Sequence, residues 1–144
     1  MRLFSQDTKV QALKRVPLFE DLSRKELTEL AKVSDDLEVE PGKELTKEGE
    51  TGQEFFVIVE GDIEVTSKGK RVASRGGGDF VGEIALLEDT PRTATVTATT
   101  PVRLFVLTRQ DFRSLVDENR SVEQKVMRAL ARRVVELSGD PTVA

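Results

Sequence analysis

The sequence predicts an α+β fold, in which a β-barrel of about eight short strands is flanked by N-terminal and C-terminal helices. Three observations indicate this order: helical apolar spacing at both ends of the chain, a central stretch interrupted by glycines at short intervals, and alternating apolar residues within that stretch. We expect residues 1–144 to form one domain, with N-terminal helices over 1–34, the β-barrel over 35–108 and C-terminal helices over 109–138.

Two short helices are expected at the start of the chain. Val10, Leu13 and Val16 are spaced three apart and share one rough helical face, and the proline that follows them disfavours further helix. Ser23 is a good N-cap residue, and with Glu26 three positions later it forms the sequence pattern of a capping box. A second helix is therefore predicted to begin after Ser23.

Short strands separated by glycine turns are expected in the centre. Apart from one near the C-terminus, every glycine lies between positions 42 and 82, a rhythm typical of a barrel or sandwich. Two strands hinged at Gly61 and Asp62 are indicated by EFFVIVEGDIEV (54–65). Two more are indicated by RTATVTAT (92–99) and VRLFVLT (102–108), which are rich in threonine and apolar residues.

The end of the chain returns to a helical pattern. One helix is predicted over 109–119, opened by Thr108 or Arg109, and a longer one over 122–137, capped by Ser121. The longer helix carries an apolar stripe with 3-4-3 spacing, made of Met127, Leu130, Val134 and Leu137. This stripe indicates either packing in the core or the seam of a homodimer formed through the C-terminal helix.

The composition argues against several classes of function. With no cysteine and no histidine, the chain has no disulfide, no zinc–cysteine site and no imidazole base. Its net charge of −4 argues against nucleic acid or an anionic membrane as a partner. The longest apolar run, 55–59, is too short to span a bilayer, and residues 1–14 lack the apolar core of a signal peptide. We therefore expect a cytoplasmic protein that is not an enzyme and binds no metal or cofactor.

An anion-binding site is expected at the start of the segment 80–96, FVGEIALLEDTPRTATV. Three glycines precede it, and Gly82 lets the chain enter a short helix predicted over 83–87. The first amides of that helix, near Ile84 and Ala85, have no intrahelical partners. Amides at a helix N-terminus attract anions and phosphate in particular, so this turn is predicted to contact a phosphate.

Side chains in the same segment complete a site for a phosphorylated sugar. Arg92 carries a planar guanidinium whose paired donors match phosphate oxygens. Thr93 adds a hydroxyl, and the amides of Thr93 and Ala94 are expected to face the same ligand. Glu83, when ionised, only accepts hydrogen bonds, so it suits a sugar hydroxyl. The set predicts a phosphate with a hydroxyl close by, as in a ribose phosphate.

VGEIALLEDTPRTATV (81–96) closely resembles the phosphate-binding cassette of the cyclic-nucleotide-binding domain family. That family includes bacterial catabolite activator proteins, kinase regulatory subunits and cyclic-nucleotide-gated channels. VPLFEDLSRKELTELA (16–31) resembles its entry helices, and PGKELTKEGETGQEFFVIVEGDIEV (41–65) resembles its early strands. The family usually has an aromatic residue directly before the Gly-Glu pair, whereas Val81 stands there in this chain. The resemblance implies a jelly-roll barrel with the cassette over 80–96.

The resemblance also implies a role for each matching residue. Glu83 is expected to hold the ribose 2′-hydroxyl and Arg92 the cyclic phosphate. The other pocket residues that it implies are Gly82, Ile84, Ala85, Thr93 and Ala94. In the channel relatives a basic residue of the C-terminal helix touches the base, and an ungapped count from PRTATV places Arg133 at that position.

The function implied is that of a regulatory sensor. The ligand is expected to be a cyclic nucleotide, with cAMP favoured over cGMP, and its binding is expected to reposition the C-terminal helix and signal to an unidentified effector protein. One alternative from another class stays open: an interaction or assembly module that keeps the barrel and binds no nucleotide. The presence of both Glu83 and Arg92 favours the sensor, because a degenerate module has no need of either residue.

Overall fold

The computed structural model describes the backbone of residues 3–138 and the side chains of residues 3–132. The N-terminal part contains helix α1 (Gln6–Lys14), a 3-10 helix (Pro17–Phe19) and helix α2 (Arg24–Lys32). Eight strands follow: β1 (Asp35–Val39), β2 (Glu44–Thr46), β3 (Glu54–Glu60), β4 (Asp62–Ser67), β5 (Lys70–Gly76), β6 (Phe80–Val81), β7 (Thr95–Ala98) and β8 (Val102–Thr108). Helices α3 (Arg109–Glu118) and α4 (Arg120–Ser138) complete the order. Within 3–138, no helix is both long and apolar enough to cross a bilayer.

The strands form two four-stranded antiparallel sheets, with the orders β1-β8-β3-β6 and β2-β7-β4-β5. The helices flank these sheets, so the α+β jelly-roll class predicted from the sequence is confirmed. The sheets are not closed into a barrel, because no strand pairing within the described part of the chain joins one sheet to the other. The β-region is therefore a pair of layers.

Gly61 is the point at which the chain passes from one sheet to the other. It lies between β3 and β4, which belong to different sheets. Its φ of +101° is in the left-handed region that favours glycine. A Cβ at this position would collide with the carbonyl oxygen of Pro101 and lie 2.9 Å from the Cα of Val102. The hinge predicted at Gly61 and Asp62 is thus a crossing between two layers.

Strands β3 and β8 are buried on both faces and separate two hydrophobic cores. Because successive side chains of a strand point to opposite faces, each strand contributes alternately to both cores. The core under the helices receives Phe55, Val57, Phe105 and Leu107. The core between the sheets receives Phe56, Ile58, Val102 and Leu104. These two strands therefore join the helical layer to the sheets that carry the candidate site.

The N-terminal helices pack on the first core in the way that the sequence predicts. Val10, Leu13 and Val16 are buried. The capping box is present: the Glu26 amide donates to Ser23 Oγ at 3.2 Å, and the Ser23 amide donates to Glu26 Oε1 at 2.8 Å. The predicted start of α2 is therefore confirmed, and the box also fixes the carboxylate of Glu26.

Helix α4 begins earlier than the sequence predicts. Its first residue is Arg120, so the expected cap residue, Ser121, lies inside the helix. The Val122 amide donates to the carbonyl oxygen of Asn119 at 3.1 Å and lies 3.4 Å from its Oδ1. Asn119 caps the helix because its carbonyl and its side chain both face the first free amides.

The buried face of α4 also differs from the predicted stripe. Val122, Val126 and Ala129 are buried, whereas Met127 is 53% exposed. One residue along a helix corresponds to a rotation of about 100°, so burial of Val126 turns Met127 away from the core. The core alternative is therefore wrong for Met127, whereas Leu130 packs partly buried against the core, and the homodimer seam stays a prediction. The side chains of Val134 and Leu137, which continue the predicted stripe, lie outside the described residues.

Ion pairs attach α4 to the N-terminal helices. Lys125 Nζ lies 2.7 Å from Glu26 Oε1, and Arg132 Nη2 lies 2.9 Å from Glu20 Oε1 and 2.5 Å from Asp21 Oδ2. Burial raises the pKa of Glu26, but the hydrogen bonds from Lys125, Ser23 and Ser121 together outweigh it and lower the pKa from 4.5 to about 2. The ionised carboxylate of Glu26 therefore stabilises the contact between α2 and α4.

We expect Glu26→Gln to lower the free energy of unfolding at pH 7 by about 1.5–3 kcal/mol, the range for hydrogen bonds to a charged group. Because the pKa of Glu26 is depressed from 4.5 to about 2 by folding, its contribution is complete above the higher value and is lost as the pH falls towards the lower one. Urea unfolding should be measured at several pH values between the two pKa values. The free energy of unfolding should depend less on pH in the variant than in the parent.

Glu29→Gln is the matched control for this substitution. Its carboxylate is exposed, and among the described side chains it pairs only with Lys32, at 3.4 Å, on the same helix. Such surface pairs contribute about 0–1 kcal/mol, so the control should unfold like the parent. Equal pH dependence in the parent and Glu26→Gln would contradict the role given to this carboxylate.

Candidate functional site

Arg92, the residue predicted to hold a phosphate, lies in the connection between β6 and β7, and a second loop supports it. Its amide donates to the Glu50 carbonyl at 2.8 Å, and its carbonyl accepts from the Gly49 amide at 2.9 Å. The neighbouring Pro91 forms an isolated antiparallel bridge with Thr51. The loop between β2 and β3 therefore fixes the backbone from which the Arg92 side chain extends.

The guanidinium of Arg92 lies against two glycines. A Cβ on Gly52 would collide with the guanidinium, and a Cβ on Gly82 would lie 2.5 Å from its Nη1. Arg92 Nη2 donates to the backbone carbonyl of Glu54 at 2.7 Å. Any larger residue at either glycine would displace the side chain, so the two glycines create the space in which the guanidinium is held.

Arg92 has no ion-pair partner among the residues whose side chains are described, whereas Arg109 and Arg132 each pair with a carboxylate. Burial, the largest influence, lowers the pKa of Arg92, the charge of Glu54 raises it and the charge of Arg109 lowers it. Arginine still carries its charge at neutral pH. A partly buried cation of this kind favours an anionic ligand, since an anion offsets the cost of its desolvation.

A hollow of about 460 Å³ includes this guanidinium in its wall. Its volume lies in the range typical of small-molecule sites. Five of the predicted site residues line it: Gly82, Glu83, Arg92, Thr93 and Ala94. Most of the remaining wall is apolar and comes from Val65, Val72, Ala73, Phe80, Val81 and Val96. An anion-binding corner beside an apolar wall suits a ligand that joins a phosphate to a flat ring.

A second hollow of about 310 Å³ includes Ile84 and Ala85 and shares four wall residues with the first. All seven predicted site residues with described side chains therefore line one of these two hollows. A third hollow, of about 410 Å³, reaches Arg92 from the side of β2 and carries the carboxylates of Glu44, Glu50 and Glu54. Lys43 and Lys47 line it as well, so its charges nearly balance, and Arg92 is its one predicted site residue; the first two hollows, which hold the other predicted residues, are therefore the candidate site.

The turn that follows Gly82 differs from the helix predicted over 83–87. It is a 3-10 helix, Glu83–Leu86, entered through Gly82 with a φ of +86°. The Ala85 amide donates to the Gly82 carbonyl at 3.0 Å, so it is not the free donor that the sequence predicts. A four-residue turn supplies few aligned peptide dipoles, so the positive charge at this site comes mainly from side chains, namely Arg92 on both hollows and Arg75 on the larger one.

Glu83 stands out because its carboxylate forms no hydrogen bond or ion pair with any described side chain or amide. It is partly buried and lines both hollows with Arg92. The chain thus presents an acceptor-only group, Glu83, and a donor-only group, Arg92, to both hollows, and Arg75 adds a second cation to the wall of the larger one. Together they match a ligand that combines a hydroxyl donor with an anionic acceptor.

Thr93 and Ala94 also serve to fasten the site to neighbouring strands. The carbonyl of Thr93 accepts from Ser67 Oγ at 3.2 Å, and that of Ala94 accepts from Thr46 Oγ1 at 3.0 Å. Thr93 itself is exposed. Its hydroxyl is therefore accessible to a ligand in either hollow.

Two residues of the site are absent from the sequence-based prediction. The sequence places Gly52 among the turn glycines, since no local pattern connects it to a guanidinium 40 positions later. Arg109 was predicted only as the start of a helix, yet its side chain is buried and binds Ala85, Glu88 and Asp89 of the segment 80–96. Both contacts are long-range and leave no trace in residue spacing.

Helix α4 reaches the edge of the site. Leu130 lines a narrow crevice together with Glu83 and Ile84. Arg133, which the resemblance assigns to the base, follows Leu130 by about one helical turn, and its side chain lies outside the described residues. Nor do the described side chains contain a cluster of three acidic residues able to hold a metal ion.

Comparison with known proteins identifies the family. The model of the cyclic nucleotide-binding domain matches residues 36–119. A cAMP-dependent protein kinase regulatory subunit of Yarrowia lipolytica is 42% identical over 106 residues, covering 72% of this chain and 28% of that protein. A cyclic nucleotide-gated potassium channel of Rhizobium etli is 36% identical over 124 residues, covering 85% of this chain and 35% of that protein.

A solved structure supports the same assignment. The N-terminal domain of a transcriptional regulator from Streptomyces coelicolor A3(2) has a TM-score of 0.81 and 30% identity, covering 89% of this chain and 93% of that one. The chain spans only 28% and 35% of the two curated relatives above, so it corresponds to one part of each. With a matching family model over most of the β-region, these likenesses establish that the chain belongs to the cyclic nucleotide-binding domain family.

Proposed function

We propose that this chain is a regulatory sensor that binds a cyclic nucleotide in the hollow of about 460 Å³. The observation that carries the proposal is the partly buried guanidinium of Arg92, which lies against Gly52 and Gly82 with no ion pair to a described carboxylate. A cyclic phosphate supplies the missing anion and matches the paired donors of the guanidinium. Glu83, on the wall of the same hollow, accepts a hydrogen bond from the ribose 2′-hydroxyl.

The remaining predicted residues complete the proposed pocket. Gly82 permits the close approach of Arg92, and the backbone of Ile84 and Ala85 lies along the second hollow. Thr93 and Ala94 lie beside the phosphate position. The apolar part of the wall, which includes Val72 of β5, faces the purine.

We propose that cAMP binds more tightly than cGMP. The Yarrowia lipolytica relative is by its name a cAMP-dependent regulatory subunit, and it is 42% identical to this chain over the matched residues. The exposed hydroxyl of Thr93 provides a route for cGMP to bind as well, since a syn guanine could donate its amino group to this hydroxyl. The proposed affinities for cAMP and cGMP therefore differ in degree, and both nucleotides bind.

The signal, in this proposal, is a change in the position of α4. Leu130 of this helix already lies beside Glu83 and Ile84, so a ligand that contacts Glu83 alters the surface on which the helix rests. Arg133, one turn further along, would cover the base by a cation–π contact of about 0.5–2 kcal/mol. Differential contact of this kind shifts the population of helix positions.

The effector is proposed to be a separate protein or a further domain that responds to α4. The relatives named above are by name a kinase regulatory subunit and a channel, and each extends well beyond the matched part. A homodimer through α4, a cytoplasmic location, the lack of nucleic-acid or membrane partners and the lack of enzymatic activity stay predictions from the sequence.

Isothermal titration calorimetry with cAMP, cGMP and non-cyclic 5′-AMP tests the proposed ligand. We expect saturable binding of both cyclic nucleotides, tighter for cAMP, and much weaker binding of 5′-AMP, whose phosphate has a different charge and position. Arg92→Ala should weaken cAMP binding by about 2–5 kcal/mol, because it leaves the phosphate without its charged partner.

Arg24→Ala is the control for this variant, since Arg24 is exposed on α2 and its one ion pair within residues 3–132 is with Asp7. It should bind cAMP like the parent. No heat from either cyclic nucleotide at millimolar concentration would favour the interaction-module alternative, and unchanged binding by Arg92→Ala would overturn the assignment of the phosphate position.

Gly52→Ala tests whether the space beside Arg92 is required. Its Cβ would collide with the guanidinium and displace it, so we expect cAMP affinity to fall about tenfold or more, equivalent to about 1.4 kcal/mol. Gly69→Ala is the control: it strains a backbone with a φ of +78° but meets no atom within 4 Å. It should lose stability and keep its affinity. Equal affinities in the parent and Gly52→Ala would contradict the two-glycine arrangement.

Hydrogen exchange with and without cAMP tests the movement of α4. We expect residues 122–138 to change protection together with 80–96, because the crevice at Leu130 joins the two. The paired strands β1 and β8 serve as the internal reference. If 80–96 becomes protected while 122–138 stays the same, α4 does not carry the signal.

A further inference from the structure

Arg109 has an unusually complete set of partners for a buried arginine. It is 7% exposed. Its Nε donates to the Ala85 carbonyl at 2.6 Å, and its Nη1 donates to Asp89 Oδ1 at 2.7 Å. Its Nη2 lies 3.2 Å from each of the carbonyls of Gly52 and Glu88. One guanidinium thus joins two loops that are far apart in the sequence.

These two loops are the ones that confine Arg92. Gly52 forms one side of the space around the Arg92 guanidinium, and Gly82 forms the other. Arg109 binds the carbonyl of Gly52 directly, and it binds the 3-10 turn that begins immediately after Gly82 through the carbonyl of Ala85. Arg109 therefore bridges the two loops that carry the glycines, in addition to the pairing of β3 with β6.

The backbone of Arg109 adds a third attachment. Its amide donates to the Gln53 carbonyl at 2.8 Å, next to Gly52. Arg109 is also the first residue of α3, after the N-cap Thr108, whose hydroxyl accepts from the Asp111 amide. These contacts connect both loops to the start of α3.

We infer that Arg109 is a positioning residue for nucleotide binding, which holds Arg92 in register with the phosphate and links the site to α3. This inference rests on the proposed function. Arg109 lies outside both hollows that would hold the ligand, so it acts through Arg92. Lysine is a poor substitute, because a single ammonium cannot reproduce the planar fork that reaches all four acceptors.

A double-mutant cycle on the intact chain tests this role. The variants are Arg92→Lys, Arg109→Lys and both together, each titrated with cAMP. We expect Arg109→Lys alone to weaken binding about tenfold and Arg92→Lys alone about 30-fold or more. In the Arg92→Lys background, Arg109→Lys should cost less than about threefold, because there is no guanidinium left to position.

Arg103→Lys is the matched control for loss of a buried arginine. Arg103 is largely buried, pairs with Glu38 and Glu60 and lies over the ring of Phe4, away from the segment 80–96. It should bind cAMP like the parent, even where its melting temperature falls as far as that of Arg109→Lys. A loss of affinity in both variants would indicate a general effect of stability and overturn the inference.

Hydrogen exchange of the ligand-free protein gives a second readout. Arg109→Lys should raise exchange in 49–54 and 83–89 together, whereas Arg103→Lys should leave both segments unchanged. If Arg109→Lys fails to fold, Asp89→Asn takes its place. Asp89 is exposed, and this substitution removes its ion pair with Arg109 while the guanidinium stays in place. That variant should show the same two segments loosened.

The outcomes separate this inference from the proposed function. A parent that binds no cyclic nucleotide overturns both. If the parent binds cAMP but Arg109→Lys keeps its affinity, the positioning role alone is overturned. The same holds if the affinity losses of the two single variants multiply in the double variant. A parent that binds cAMP, with a clear loss in Arg109→Lys that nearly disappears in the Arg92→Lys background, supports it.

Discussion

The guanidinium of Arg92 is held by backbone, with glycine at the two positions where any side chain would collide with it. Its strongest described bond is to the carbonyl of Glu54, and no described carboxylate pairs with it. The cost of partly burying this cation is therefore met only in part within the described chain, which leaves a favourable position for an anion. The proposed binding of a nucleotide depends on this constraint. So do the requirement for glycine at positions 52 and 82 and the role of Arg109.

The architecture explains how such a site is supported. Strands β3 and β8 are packed on both faces, against the helices on one side and against the second sheet on the other. The loop before β3 carries Gly52, and the residue after β8 is Arg109. Because β3 and β8 are antiparallel, the start of β3 and the end of β8 lie at the same end of the pair, beside Arg92, so the core as well as the β2–β3 loop positions the site.

The sequence predicts what is local and leaves out what is long-range. The capping box at Ser23 and a hinge at Gly61 follow from residue types at fixed spacing, whereas the passage between two sheets at that hinge does not. Glu83 and Arg92 are predicted in the same way, and both lie on the wall of one hollow. The turn after Gly82 was predicted as a helix with free amides, but a 3-10 bond satisfies Ala85. Gly52 and Arg109 owe their importance to contacts across 40 and 57 positions, which no spacing rule detects.

The most direct test of the central claim is a crystal structure of the chain with cAMP bound. The account predicts that the Arg92 guanidinium donates to the oxygens of the cyclic phosphate at about 3 Å, with its back still against Gly52 and Gly82. Glu83 should accept from the ribose 2′-hydroxyl in the same complex. A phosphate bound elsewhere, or an Arg92 that contacts only the Glu54 carbonyl while the nucleotide is present, would contradict it.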